Sequence, residues 1–148
     1  MKKPIYVLII VTAVIVLDQI TKYLVNTYVS PFDPIEILPF LHIVNVHNTG
    51  AAFGMFKNLG GSIFIGISVI AIIVIIVFLV KDTYNQFGLT LLLGGAIGNL
   101  IDRIRFGKVV DFIDISVGEF SWPAFNVADS CLTVGIIIIL VPLFIKKR

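Results

Sequence analysis

From Ser62 to Val80 the chain carries no charged side chain and no proline, and Lys81 and Asp82 close the run. A stretch of about 20 apolar residues is what a helix needs to cross the hydrocarbon of a bilayer. There the backbone has no water to bond, so an unpaired strand or loop is excluded. The rest of the chain agrees: 58% of residues are hydrophobic and 14% charged, against roughly 45–50% and about 25% in soluble domains. A water-soluble globule and a disordered chain are both excluded. Cys131 is the only cysteine, which excludes a disulfide scaffold, and a net charge of +2 gives no footing for nucleic acid.

Three further segments read as spans. Ile5 to Val25 is apolar through Leu17 and is then interrupted by Asp18 and Lys22. A third covers about residues 84–103, with Gly94, Gly95 and Gly98 spaced so that helices can approach closely in lipid. A fourth covers about residues 126–145, with Asp129 near its start and Pro142 near its end. The expected fold is an all-α integral membrane protein in which residues 1–148 form one unit with helices at about 5–25, 62–80, 84–103 and 126–145. Lys2 and Lys3 before an apolar run also fit a signal peptide. The run continues into Asp18-Gln19-Ile20-Thr21-Lys22 with no small-residue cleavage site, so it reads as a retained helix.

Four spans place both termini on one side. Lys2, Lys3, Lys81, Lys146, Lys147 and Arg148 put that side in the cytoplasm, with Arg103, Arg105 and Lys108 as the opposing signal. The two long loops, about residues 26–61 and 104–125, then lie outside. Pro31, Pro34 and Pro39 break any helix before Leu41–His47, which alternates as a short strand. Val109–Val117 and Phe120–Trp122 read as a second strand pair joined through Gly118, with Phe120, Trp122 and Phe125 suited to the interface. A small extracytoplasmic β-element and a loop cap are expected.

Polar side chains beside spans are costly and are functional candidates by default. Asp18 and Lys22, then Asn99, Asp102 and Arg103, then Asn126 and Asp129 all fall at one membrane depth once the spans are threaded, with Asp111 and Asp114 in the loop between the last two helices. Each has a plainer reading. Asp18 and Lys22 make an i,i+4 pair. Asn126 with Asp129 makes a helix N-terminus. Asn99, Asp102 and Arg103 make a self-neutralised helix end, and Asp111 and Asp114 are solvated loop carboxylates. His42 and His47 lack zinc-site spacing, Cys131 has no histidine beside it in sequence, and no metal or cofactor site is expected. Two carboxylates held close can nevertheless share a proton, one acting as base toward water and the other as acid. Two other readings stand beside this one. A small transporter needs charges spread through the bilayer depth; a non-catalytic lipid-binding protein needs Asp129 only as a cap.

Five motifs carry a family resemblance. They are Asp18-Gln19-Ile20-Thr21-Lys22; Asn48-Thr49-Gly50-Ala51-Ala52-Phe53-Gly54; Gly94-Gly95-Ala96-Ile97-Gly98-Asn99-Leu100-Ile101-Asp102-Arg103; Val109-Val110-Asp111-Phe112; and Phe125-Asn126-Val127-Ala128-Asp129. In this order and in a chain of this size the sequence resembles the lipoprotein signal peptidases, or signal peptidase II, aspartyl proteases of the bacterial membrane. The resemblance implies Asp111 and Asp129 as the catalytic pair. It implies Asn48, Gly50, Asn99, Arg103 and Asn126 around the substrate, and Asp18, Lys22 and Asp102 in support. It also implies a diacylglyceryl-modified prolipoprotein as substrate, cut just before the lipidated cysteine, and globomycin as a blocker of the site. No metal or cofactor is implied, and the expected state is a monomer among membrane lipids in the bacterial inner membrane. The site is expected toward the outer face.

Overall fold

A computed structural model describes residues 3–50 and 61–145. The basic residues Lys2, Lys146, Lys147 and Arg148 and the motif positions Ala51 to Gly54 lie outside the described residues. The elements run α1 (Lys3–Tyr28), β1 (Ile35–Leu38), β2 (Leu41–Asn48), α2 (Gly61–Lys81), α3 (Gln86–Phe106), β3 (Val109–Val117), β4 (Phe120–Phe125) and α4 (Val127–Ile145). Three helices, α1, α2 and α3, are long and apolar enough to cross a membrane; α4 has a shorter apolar stretch, Val127–Pro142. The outward faces carry exposed Leu8, Ile9, Ile70, Ile73 and Ile137, an inside-out distribution for water and the expected one for lipid. The chain is a helical membrane protein with a small antiparallel sheet.

The third helix is displaced from the sequence expectation of about 84–103. It starts at Gln86 because the Asn85 side chain accepts the Gly88 N–H at 3.0 Å, which makes Asn85 the cap and leaves Tyr84 outside. It runs on through Arg103 to Phe106 because the left-handed residue that ends it is Gly107, at φ 69°. This helix is the hub of the bundle, with Leu89 and Leu93 in an apolar core shared with Val11 of α1 and Ile75 of α2. Its glycines set how closely the neighbours approach. A Cβ on Gly95 would lie 2.5 Å from the Ala128 carbonyl oxygen, and one on Gly98 would lie 2.7 Å from Asp18 Oδ2. Only glycine admits the start of α4 and the polar turn of α1 to this helix.

The segments that follow α1 and α3 form one antiparallel sheet in the order β1-β2-β3-β4, rather than two separate pairs. β1, four residues between Pro34 and Pro39, pairs Ile35 with Ile43 and Glu36 with His42. β2 and β3 pair Val46 with Asp111 and Asn48 with Val109, with a bulge between Ile43 and Val46. The β3–β4 hairpin turns at Gly118, at φ 61°, and pairs Val117 with Phe120. Cross-strand partners share a face. At one end, Ile35, Ile43, Ile113 and Phe125 line one face, with Ile43 and Ile113 packed against the cluster of Val25, Val29 and Phe112, and Glu36, His42 and Asp114 line the other. At the other end, Val109, Val110, Asp111 and Phe112 are buried where β3 leaves α3.

Candidate active site

The site begins in α1. One helical turn separates Asp18 from Lys22, and Lys22 Nζ lies 2.8 Å from Asp18 Oδ2, with both side chains buried. A buried ion pair needs its remaining valences met, and here they are met by other helices. Lys22 Nζ also lies 3.0 Å from Asp102 Oδ2 and donates to Asn99 Oδ1 at 3.0 Å, both on α3. Asp18 Oδ1 accepts the backbone N–H of Ala128 at 2.9 Å, so a carboxylate from α1 caps the first turn of α4. Gln19 donates to Asp102 Oδ1 at 2.9 Å and to the Gly98 carbonyl at 3.3 Å. Asp102 Oδ2 accepts the N–H of Val110 at 3.2 Å and so fixes where β3 starts.

Upon this base sits a layer of amides. Asn126 is the N-cap of α4: its Oδ1 accepts the Asp129 N–H at 2.9 Å. That bond turns Nδ2 the other way, where it donates to Asp111 Oδ1 at 2.7 Å, to the Val110 carbonyl at 3.2 Å and to Asn99 Oδ1 at 3.3 Å. Asn99 Nδ2 donates to Asp129 Oδ1 at 2.7 Å. Asn48, at the end of β2, donates to Asp111 Oδ2 at 3.1 Å, and the Gly50 N–H holds Asn48 Oδ1 at 2.9 Å. Both carboxylates are therefore held by amides of fixed orientation. Burial pushes the Asp111 carboxyl up to about 6, and the nearby charge of Asp129 adds to that; the Asn48 and Asn126 bonds and the Lys22 charge oppose it.

The expected site residues are sorted by this geometry. Asp18, Lys22, Asn48, Asn99, Asp102, Asp111, Asn126 and Asp129 join one continuous network, with Gly50 at its edge. Arg103 stands beside it: its guanidinium lies 5.9 Å from the centre of the Phe64 ring on α2, and its charge acts on Asp129, Asp111 and Asp102. Asp114 lies elsewhere. It is three residues from Asp111 on a strand, so it faces the other way, 3.7 Å from His42 and with Ser121 donating to it at 3.3 Å. The role of Gln19 went unread in the sequence although it sits inside the Asp18–Lys22 motif. So did a surface chain in which Lys108 Nζ donates to His47 Nδ1 at 3.1 Å and His47 Nε2 to Asn26 Oδ1 at 3.0 Å. Because an ammonium only donates, the His47 ring is neutral with its proton on Nε2. Burial and the Lys108 charge hold its pKa below the ordinary histidine value.

Known proteins match this chain over nearly its full length. The family model described as signal peptidase (SPase) II matches residues 10–145. A lipoprotein signal peptidase of Thermodesulfovibrio yellowstonii is 47% identical over 125 residues, covering 84% of this chain and 85% of its own. One from Staphylococcus aureus is 42% identical over 141 residues, covering 92% and 86%. A bacterial membrane enzyme solved in meso superposes with a TM-score of 0.88 at 37% identity, covering 97% of this chain and 92% of its own. A second such structure gives 0.84 at 38% identity, covering 97% and 94%. These matches take in the network and the helices that hold it. The chain belongs to the signal peptidase II family, aspartic-type peptidases of the bacterial membrane that remove signal peptides from lipoproteins.

Proposed function

We propose that Asp111 and Asp129 are the catalytic pair of this peptidase and that it cuts a diacylglyceryl-modified prolipoprotein just before the lipidated cysteine. One observation carries the reading. A single amide, Asn126, binds Asp111 through its nitrogen and the backbone of Asp129 through its oxygen, so the two carboxylates are held as a unit. Asp111 is the member that takes up the shared proton as the pH falls through about 6. With one proton on the pair, the ionised carboxylate draws a proton from water as the water oxygen bonds to the scissile carbonyl carbon. The protonated partner gives its proton to the carbonyl oxygen. As the diol intermediate collapses, the carbon–nitrogen bond breaks and the pair returns a proton to the departing amine. Asn48, Asn99 and Arg103 supply donors around the extended substrate backbone, and Gly50 and Asn126 shape the site that holds it.

Four spans fit this assignment. The 19 residues of α4 rise about 28 Å at 1.5 Å each, close to the roughly 30 Å of hydrocarbon. Both termini then face the cytoplasm under the positive-inside rule, and the site faces outward. At that depth a lipid-anchored substrate presents its scissile bond without leaving the bilayer. Lipid surrounds the apolar faces, and one chain holds a whole pair, so a monomer suffices. The test is cleavage of a purified lipid-modified prolipoprotein by the wild type and by Asp111→Asn and Asp129→Asn. Each variant is expected to fold and to lose cleavage by at least about a thousandfold. A folded variant that still cuts removes its residue from the pair.

A further inference from the structure

Lys22 holds its ammonium in a place where a neutral side chain would be cheaper. The side chain is 3% exposed, and its three N–H donors go to Asp18 Oδ2, Asp102 Oδ2 and Asn99 Oδ1. Two carboxylates already neutralise the charge, so the third bond has another consequence. An ammonium has no acceptor, so the Asn99 oxygen must face it. The Asn99 nitrogen is thereby turned to Asp129, 2.7 Å away. Without the ammonium the Asn99 oxygen keeps only the longer bond from Asn126 Nδ2, at 3.3 Å, and a reversal of the amide would set an oxygen against a carboxylate.

We propose that Lys22 is a positioning residue of the peptidase: through Asn99 it keeps an N–H donor on Asp129, and its buried charge sets the field in which the Asp111–Asp129 pair exchanges its proton. The proposal rests on the catalytic pair proposed above. Lys22 reaches neither carboxylate of the pair directly; its bonds stop at Asp18, Asp102 and Asn99. The charges that act on Asp111 are Lys22 from α1, Arg103 from α3 and Asp129 from α4; Asp18 and Asp102 hold Lys22, and β2 contributes Asn48 and, beyond it, the neutral His47. Of the α1 groups, it is the Lys22 charge that acts on Asp111, and it favours the ionised form.

A structural strut and a positioning residue differ in the pH–rate profile. Cleavage of a lipid-modified prolipoprotein peptide is measured from pH 4 to 9 with the full-length protein, for the wild type, Asp18→Asn, and the double variant Lys22→Met with Asp18→Asn, each shown to be folded by thermal melting. The double variant is expected to move the alkaline limb, where Asp111 gives up the shared proton, upward by about half a unit relative to Asp18→Asn and to lower kcat by about tenfold, the cost of a misplaced donor. A folded double variant whose limb coincides with that of Asp18→Asn overturns the proposal. If the double variant does not fold, Lys22→Gln takes its place, since it keeps a donor for Asn99 and removes the charge. Its limb must move up, and an unmoved limb overturns the proposal equally. Failure of the catalytic pair itself is seen separately, as cleavage by Asp111→Asn.

Discussion

Asn126 Nδ2 stands 2.7 Å from Asp111 Oδ1 because the oxygen of the same amide is committed to the first turn of α4. The helix cap and the proposed catalytic pair are thus one constraint, and a substitution can separate them. Serine caps a helix about as well as asparagine but is too short to reach Asp111. In Asn126→Ser the helix keeps its start, while Asp111 loses a donor that favours its ionised form. The alkaline limb of the pH–rate profile, where Asp111 gives up the shared proton, is expected to rise and cleavage to fall by about 10- to 100-fold. The stranded Val110 carbonyl costs about 1–3 kcal/mol of stability. An unmoved limb in a folded variant would contradict this account.

Asp111 is expected to cost stability at neutral pH. Its folded pKa, about 6, lies above the ordinary value of 3.8. Between those values the folded chain binds more protons than the unfolded one, so this group makes stability fall as pH rises through the window, and the cost persists above it. Asp111→Asn removes that slope. Its melting temperature relative to wild type is therefore expected to climb from pH 4 to pH 7. The difference is on the order of 1–3 kcal/mol, less what Asn loses by offering an N–H to one of two donors. Melting curves at several pH values check it, and a constant or falling difference contradicts it.

Gly98 and Gly66 make a contrasting pair. A methyl on Gly98 would meet Asp18 Oδ2 at 2.7 Å and Asp18 Cγ at 3.2 Å, whereas one on Gly66 meets nothing within 4 Å. Gly98→Ala is expected to lose roughly 2–4 kcal/mol, as an overpacked site that displaces a buried carboxylate, and to lose most cleavage activity. Gly66→Ala is expected to be neutral or stabilising by up to about 1 kcal/mol, from helix propensity alone. Melting and cleavage measured on both variants decide it.

The His47 ring is held neutral by its surroundings, with Lys108 as one cause. Replacing Lys108 with Met removes a nearby positive charge and is expected to raise the His47 pKa toward 6.5. Histidine ring resonances followed by NMR titration in detergent report it. A His47 pKa that stays put or falls assigns the shift to burial alone.

Much of this was legible in the chain because lipid leaves so few options. An uncharged run such as Ser62–Val80 has one reading, and threading the other spans brings Asp18, Asn99 and Asn126 to one depth. Alternation likewise separates Asp111 from Asp114, since an odd spacing on a strand points them apart. What stayed hidden depends on register. β1 is four residues between prolines and is specified only by its partner β2. The Lys108–His47–Asn26 chain exists because a bulged β2 pairs His47 with Val110. The third bond of Lys22 depends on α3 approaching at Gly98, a distance that no spacing within α1 reveals.

The contact between Asp18 and the Ala128 amide joins residues 110 positions apart, and it dates the birth of activity. As a ribosome delivers this polypeptide to the membrane, α1 emerges first. Its Asp18–Lys22 pair closes within one turn, so the two charges can enter the bilayer already mutually neutralised. Asp129 and the turn that orients it arrive only with α4, more than a hundred residues later. With the proposed pair of Asp111 and Asp129, a nascent chain is catalytically silent until the α4 turn docks on α1.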